Sequence, residues 1–108
     1  MPFNSLEELA VFLRGFAAER GWERFHSPKN LAMALSVEAA ELTEHFQWLT
    51  EQQSIELDTR QREAAALEMA DVLIYLVRMA DRLDIDLLDA ARRKVVLNAK
   101  KYPAEQLS

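Results

Sequence analysis

A chain of 108 residues without cysteine has room for one domain, spanning residues 1–108, and excludes disulfides, thiolate zinc sites and a cysteine nucleophile. Its formal net charge of −5 argues against sequence-independent binding to nucleic acid, which requires a basic face. The N-terminus lacks the basic start of a signal peptide, and the most apolar stretch, Ala64–Val77, is too short and too charged to cross a bilayer. We therefore expect a cytoplasmic protein with neither a nucleic-acid nor a membrane partner.

Two helices are predicted in the first half of the chain, where neither strand-like alternation nor a hairpin dipeptide occurs. Ser5 starts a capping box that is followed by apolar residues at helical spacing, and Gly21 is a typical helix stop. Ser27 and Pro28 suit the N-cap and the first residue of a second helix, which is predicted to reach about Thr50. Both helices thus begin at residues that suit N-caps.

A polar connector and two further helices are predicted in the second half of the chain. Residues 51–59 are predicted to link the second helix to a third, which reaches about Leu83. A fourth helix follows and ends before Pro103. The candidate N-caps are Asp58 or Thr59 for the third helix and Asp84 or Asp86 for the fourth. Four helices with short links predict an all-α four-helix bundle.

The third helix has an unusual distribution of apolar residues. Between Ala64 and Val77, every residue except Glu68 and Asp71 is apolar, so the apolar residues surround the helix instead of forming one stripe. A helix that is apolar all round has to be buried all round. In a chain of this size, that indicates a partner subunit over the second face. The alternative is a central helix buried within a monomer.

Four acidic residues are predicted to bind a metal ion. Glu38 and Glu41 lie three residues apart in the second helix, and Glu68 and Asp71 lie three apart in the third. Pairs at this spacing project from one face of a helix. Burying an unpaired carboxylate costs several kcal/mol, and converging like charges repel. A divalent cation relieves both effects, and ligands that are all oxygen favour magnesium or manganese over zinc.

Two alternative roles for the four acids are also considered. They could face solvent or pair with arginines from elsewhere in the chain, which is the ordinary role of such pairs on helices. A di-iron bundle would require a Glu-x-x-His motif on two helices. Because His45 follows Glu41 by four residues, the chain lacks that motif.

The order and spacing of the four acids resemble those of the all-alpha NTP pyrophosphohydrolases, the group that includes the MazG-like enzymes, the dimeric dUTPases and the phosphoribosyl-ATP pyrophosphatases. Further blocks, from about residue 12 to the C-terminus, are similar to the MazG-like dCTP pyrophosphatases. These blocks are Phe16-Ala17-Ala18-Glu19-Arg20, Trp22-Glu23-Arg24-Phe25-His26, Pro28-Lys29-Asn30-Leu31, Phe46-Gln47-Trp48, Asp71-Val72-Leu73-Ile74-Tyr75-Leu76 and Lys101-Tyr102-Pro103.

The resemblance implies an enzyme of nucleotide-pool sanitation. Such an enzyme splits a (deoxy)nucleoside triphosphate, here dCTP or a modified dCTP, into the monophosphate and pyrophosphate. The resemblance also implies Mg²⁺, with Mn²⁺ as a substitute, and a homotetramer whose active sites lie between subunits. The catalytic, metal-binding residues would be Glu38, Glu41, Glu68 and Asp71. The alternatives are a pyrophosphatase for dUTP or another damaged dNTP, and a non-enzymatic helical oligomerisation or regulatory module.

A second set of residues is predicted to bind the nucleotide. The resemblance assigns the pocket to the aromatic stretch before the second helix and to two further aromatic residues, while basic and polar residues are candidates to meet phosphate oxygens. The substrate-binding candidates are Trp22, Phe25, His26, Lys29, Asn30, Trp48, Tyr75, Lys94, Asn98 and Tyr102. Aromatic residues at helix ends are also common in cores, and basic residues are common near helix C-termini. One residue departs from the family: vertebrate members carry a substrate-contacting histidine at the position of Leu13.

Overall fold

The computed structural model describes residues 2–105, and these residues form helices, turns and loops without a β-strand. The elements are α1 (Leu6–Glu19), a 3₁₀ turn (Glu23–Phe25), α2 (Pro28–Glu44), α3 (Glu51–Ile55), α4 (Thr59–Arg82) and α5 (Leu87–Lys101). The predicted all-α class is confirmed. The predicted count of four helices is wrong, because the described part of the chain contains five α-helices.

Side-chain caps fix where the long helices begin. The hydroxyls of Ser5 and Ser27 accept hydrogen bonds from backbone N–H groups three residues on, at the starts of α1 and α2. The carboxylates of Asp58 and Asp86 do the same for α4 and α5. Each bond satisfies a donor that has no partner within the helix. The start of α1 differs from a full capping box in one respect, because the Glu8 carboxylate accepts from the backbone N–H of Asn4.

Gly21 ends α1 as predicted. Its φ of +66° is a left-handed conformation that glycine adopts without a steric penalty. The N–H of Gly21 donates to the carbonyl of Ala18, and the N–H of Trp22 donates to that of Ala17, which is the bonding pattern of a Schellman motif. The reversal leads directly into the 3₁₀ turn and places Trp22 against the end of α1.

The predicted end of α2 and the predicted connector are both wrong. Helix α2 ends at Glu44, six residues before Thr50, because the N–H groups of His45 and Phe46 bond to carbonyls three residues back and the chain continues as turns. Thr50 then forms a capping box with Gln53, so the predicted polar connector contains the short helix α3. A capping box satisfies donors at both of its residues, which stabilises even a short helix.

The core lies where α1 and α2 pack against α4. The most buried apolar side chains of residues 2–105 come from these three helices: Leu9, Ala17, Leu31, Ala65, Val77 and Ala80. Helix α5 contributes no buried residue. The described chain is therefore a three-helix core from which α5 projects, and not the compact four-helix bundle that the sequence predicted.

The single chain leaves much apolar surface in contact with solvent. Its radius of gyration is 17.2 Å, against about 13 Å for a compact domain of this length. Its accessible surface is 8782 Å², against about 6,100 Å² for a compact monomer of this mass. On α4, Leu67 is 61% and Met69 is 58% exposed, which disagrees with the alternative of a central helix buried within a monomer. Cover by a partner subunit stays a prediction. Within residues 2–105, no helix is both long and apolar enough to cross a membrane.

Candidate active site

The packing of α2 against α4 brings three of the four predicted acids together. One carboxylate oxygen from each of Glu38, Glu41 and Glu68 lies within 4.8 Å of the other two. Two of these residues sit one turn apart on α2, and the third faces them from α4. The packing of the two helices thus joins acids that are far apart in sequence into one group, Glu38, Glu41 and Glu68, which we call the carboxylate cluster.

Asp71 lies beside the carboxylate cluster and not within it. It follows Glu68 by about one turn along α4 and lines, together with Glu38, the cavity that adjoins the cluster. Its charge is one of the influences that raise the pKa of Glu38. The structure therefore places the fourth predicted acid close enough to Glu38 to interact with it electrostatically.

Crowding of like charges changes the acidity of the carboxylate cluster. A hydrogen bond with Glu41, together with burial and the proximity of Glu38, raises the pKa of Glu68 to about 7. Burial is the main cause that raises the pKa of Glu38, and its hydrogen bond with Glu41 adds to the effect. Carboxylates this close cannot all ionise freely, so they either retain protons or bind a cation.

The donor set of the carboxylate cluster fits a hard divalent cation. Oε2 of Glu38 is buried and has no hydrogen-bond partner among residues 2–105. Over the same residues, none of the four acids forms an ion pair with Lys, Arg or His. This disagrees with the alternative in which arginines of the same chain neutralise them. Oxygen ligands of negative charge are those that magnesium and manganese prefer.

An apolar cavity of about 310 Å³ adjoins the carboxylate cluster. Most of its lining comes from aromatic and aliphatic side chains, including Phe12, Leu13, Phe16, Trp22, Ile74 and Tyr75. Glu38 and Asp71 line the same cavity, as do His26 and Arg78. Small-molecule sites commonly combine an apolar lining with a few polar groups in this way. The arrangement suits a flat, largely uncharged ring that carries an anionic group, provided that a cation at the acids holds that group.

Comparison with known proteins identifies the family. The model of the MazG-like family matches residues 33–108, a range that includes all four acids and most of the chain. This chain belongs to the MazG-like family. The expectation from the order and spacing of the acids is therefore confirmed at the level of the family.

Named relatives point to one activity. The MazG-like chain is 46% identical over 105 residues to dCTP pyrophosphatase 1 of Homo sapiens, covering 95% of this chain and 62% of the relative. It is 44% identical over 101 residues to dCTP pyrophosphatase 1 of Bos taurus, covering 92% and 60%. The chain thus spans about three fifths of the length of these curated relatives. A solved pyrophosphatase from Archaeoglobus fulgidus matches with a TM-score of 0.86 at 42% identity, over 94% of this chain and 95% of that chain.

Three of the predicted nucleotide-binding residues line the cavity: Trp22, His26 and Tyr75. The ring of Trp22 packs edge-on against Phe16 at a centroid distance of 5.7 Å, and the ring of His26 lies 6.0 Å from that of Trp22. The residue before the 3₁₀ turn, Trp22, therefore packs against α1, and the residue after the turn, His26, lies next to it. The cavity thus brings these three candidates together, and their role in nucleotide binding stays a prediction.

Four other candidates from the first half of the chain lie outside the cavity lining. Trp48 is 86% exposed, because α2 ends before it and the following turns carry it away. Phe25 is also exposed and lies beneath the guanidinium of Arg24. The side chain of Asn30 donates to the backbone carbonyl of Phe25 at 3.0 Å, a bond that secures the turn, and Lys29 is exposed.

The candidates on and after α5 lie apart from the cavity as well. Lys94, Asn98 and Tyr102 are exposed, and none of them lines the cavity. The reason is the course of α5, which projects from the three-helix core. Within one described chain, these residues are therefore not part of the site that the carboxylate cluster and the cavity form.

Sequence reasoning missed Arg78, which is only 3% exposed and lines the cavity. A signal was available, because Arg78 follows Asp71 by seven residues, which is two helical turns and hence the same face of α4. A charged residue on the inner face of a helix needs a partner. One partner, Asp81, lies three residues on in the same helix and could have been found from the spacing. The other, His26, could not be identified without the packing of the 3₁₀ turn against α4.

Proposed function

We propose that this MazG-like chain hydrolyses a deoxynucleoside triphosphate, dCTP or a modified dCTP, to the monophosphate and pyrophosphate. The observation that carries the proposal is the carboxylate cluster next to an apolar cavity of a size that admits a nucleobase. The names of the dCTP pyrophosphatase relatives and of the Archaeoglobus pyrophosphatase support the same activity. An enzyme of this kind would clear nucleotides from the cytoplasmic pool.

The residues present fit a magnesium site, with manganese as a substitute. Glu38, Glu41 and Glu68 would hold the ion, Asp71 would complete the set, and the buried Oε2 of Glu38 would gain a partner. When bound, Mg²⁺ would neutralise the phosphate charges and lower the pKa of the attacking water. A site without Lys or Arg partners depends on such an ion, because a triphosphate would otherwise be repelled by the acids.

The side chains of the chain itself would perform the remaining steps. One carboxylate accepts a proton from the water that attacks phosphorus, and we assign this to Glu41, which is the most exposed member of the carboxylate cluster. The base would enter the apolar cavity, where the faces of Trp22 and Tyr75 can stack on it. Excluding water from this cavity strengthens the electrostatic interactions at its acidic end.

The exposed apolar surface supports a homo-oligomer, which we propose to be a tetramer. Val95 and Leu97 on α5 are 66% and 57% exposed, and the outer face of α4 is also uncovered. Burying such surface is favourable by about 25 cal/mol per Å². In a tetramer, exposed residues such as Trp48 and those on α5 would lie near the site of a neighbouring subunit, where Lys29, Asn30, Lys94, Asn98 and Tyr102 would contact the triphosphate.

Substrate specificity is tested by a panel of nucleotides. We expect release of pyrophosphate with magnesium, fastest from dCTP or a 5-substituted dCTP, because aromatic side chains line the cavity and the named relatives are dCTP pyrophosphatases. If dUTP or a damaged purine nucleotide is cleaved faster, the proposed substrate is wrong but the proposed hydrolase activity stands. No pyrophosphate from any of the normal and modified NTPs and dNTPs would instead favour a helical oligomerisation or regulatory module.

A further inference from the structure

Two arginines of α4 hold His26 by its ring and by its backbone. Nε of Arg78 donates a hydrogen bond to Nδ1 of His26 at 3.2 Å. Nε of Arg82 donates to the backbone carbonyl of His26 at 3.1 Å. The two bonds come from residues about one turn apart on α4, so they fix both the position and the rotation of the imidazole at the edge of the cavity.

Arg78 is itself held in one orientation by a charged network. Its Nη1 donates to Oδ2 of Asp81 at 3.2 Å, and Arg14 of α1 donates to the same carboxylate through Nε at 3.1 Å and Nη2 at 2.7 Å. The Arg14 guanidinium holds the pKa of Asp81 below its usual range, so this carboxylate stays ionised. Asp81 and Arg14 thereby fix the direction in which Arg78 presents Nε.

The bond from Arg78 determines which nitrogen of His26 carries the proton. Arginine has only donors, so Nδ1 of His26 has to be the acceptor and the proton of the neutral ring is on Nε2. Burial, together with the charges of Arg78 and Arg82, lowers the pKa of His26, which keeps the ring neutral at pH 7. Among residues 2–105, no group accepts a hydrogen bond from Nε2.

We propose that Arg78 is a positioning residue that presents the Nε2–H of His26 as a hydrogen-bond donor to an acceptor atom of the bound nucleobase. The inference rests on the proposed function, since it assigns the base to this cavity. Apart from His26, Arg78, Tyr75 and the two acids, the side chains that line the cavity are apolar. A polar atom of the base that faces the apolar lining would therefore lose the hydrogen bond that it makes with water. A fixed donor selects a base whose inward edge carries a carbonyl oxygen or an unprotonated ring nitrogen.

Nitrogen NMR of the histidines tests the positioning step without any turnover. The chain has two histidines, and the exposed His45 serves as the internal reference. In the wild type, we expect His26 to be the Nε2–H tautomer and to have a pKa below the ordinary value of a histidine. In Arg78→Met, we expect the tautomers to mix and the pKa of His26 to rise towards its ordinary value. Asp81 keeps Arg14 as its partner in this variant.

Kinetics with dCTP test the role in recognition. Loss of one hydrogen bond predicts that Arg78→Met raises KM for dCTP about five- to tenfold, with a smaller change in kcat. The matched control is Arg60→Met, which removes an exposed arginine at the start of α4 and should leave KM unchanged. For the wild type, 2-thio-dCTP and 3-deaza-dCTP each weaken or remove one acceptor, and the analogue with the raised KM identifies the atom that Nε2–H contacts.

The outcomes separate this proposal from the proposed function. An Nδ1–H tautomer of His26 in the wild type, or an unchanged tautomer in Arg78→Met, overturns the positioning role whether or not the protein hydrolyses dCTP. If His26 shows the expected tautomers but no nucleotide is hydrolysed, the proposed function is overturned, and with it the recognition of a base. If Arg78→Met does not fold, Arg78→Lys is measured instead. The shorter side chain of lysine cannot donate hydrogen bonds to Asp81 and His26 at the same time, so we expect the same change of tautomer.

Discussion

At the scale of single residues, the carboxylates of the carboxylate cluster lie close to one another and are only partly solvated. The hydrogen bond with Glu41 and burial together raise the pKa of Glu68 to about 7, while Glu38 keeps a buried oxygen without a partner among residues 2–105. Acidic groups whose pKa values are shifted in this way are frequent at functional sites. The pKa of Glu68 leads to a prediction for the metal-free protein.

The stability of the metal-free protein should fall as pH rises from 4.5 to 7. In this window the folded state retains the proton of Glu68 and the unfolded state has lost it, so the folded state binds more protons and the free energy of unfolding decreases with pH. Thermal melts at pH 5 and pH 8 in EDTA measure this. We expect the difference in Tm between the two pH values to shrink in Glu68→Gln, which has no proton to lose.

Magnesium provides the control for this pH dependence. An ion that binds only the folded, ionised cluster stabilises it by mass action, so magnesium should raise Tm more at pH 8 than at pH 5. Equal pH dependence in the wild type and Glu68→Gln would contradict the raised pKa. An effect of magnesium that is equal in both proteins would contradict Glu68 as a ligand.

At the scale of elements, the caps and the turn after α1 position the site. Asp58 begins α4, the helix that carries Glu68 and Asp71. Gly21 reverses the chain so that Trp22 and His26 reach the cavity. The two glycines of the chain differ in backbone conformation, which allows a matched test of this turn.

Alanine at the two glycines should have opposite effects on stability. Gly21→Ala places a Cβ on a residue with φ of +66°, which costs about 1 kcal/mol or more. Gly15→Ala lies within α1 with no atom within 4 Å of the added Cβ, and it should stabilise the protein by about 0.5–1 kcal/mol. Chemical denaturation measures both variants. A stabilising Gly21→Ala would contradict the left-handed turn.

The sequence allowed most elements to be predicted, because capping residues and glycine act locally. The sequence narrowed the N-caps of α4 and α5 to two candidates each, and the structure uses Asp58 and Asp86. The spacing of the acids predicted their common faces. The early end of α2 and the presence of α3 could not be predicted with the same reasoning, since one turn of polar helix has the composition of a connector. The pairing of Arg78 with His26 depends on packing between elements that are 52 residues apart.

At the scale of the whole molecule, the chain exposes more apolar surface than a stable monomer of its size would. Helix α5 projects from the core, and Leu67 and Met69 of α4 face solvent in the single chain. Predicted residues that miss the cavity, such as Trp48, are on this outer surface. An oligomer would cover the surface and bring these residues to a neighbouring site.

Light scattering at micromolar concentration tests the assembly. We expect a mass about four times the 12.4 kDa of one chain. Leu67→Asp should lower the mass, because a charge in an apolar interface is costly to bury. Arg60→Asp, at the exposed start of the same helix, is the control and should keep the oligomer. A wild-type mass of 12.4 kDa would contradict the tetramer and the shared sites.

The most direct test of the proposed function is pyrophosphate release from dCTP with magnesium, measured for the wild type and for variants of the four acids. Glu38→Gln, Glu41→Gln, Glu68→Gln and Asp71→Asn each remove a charged oxygen ligand with little change in volume. We expect each variant to lose activity about 100-fold or more, while Glu44→Gln, at the exposed end of α2, retains it. Activity within about threefold of wild type in all four variants would contradict a metal site at the carboxylate cluster.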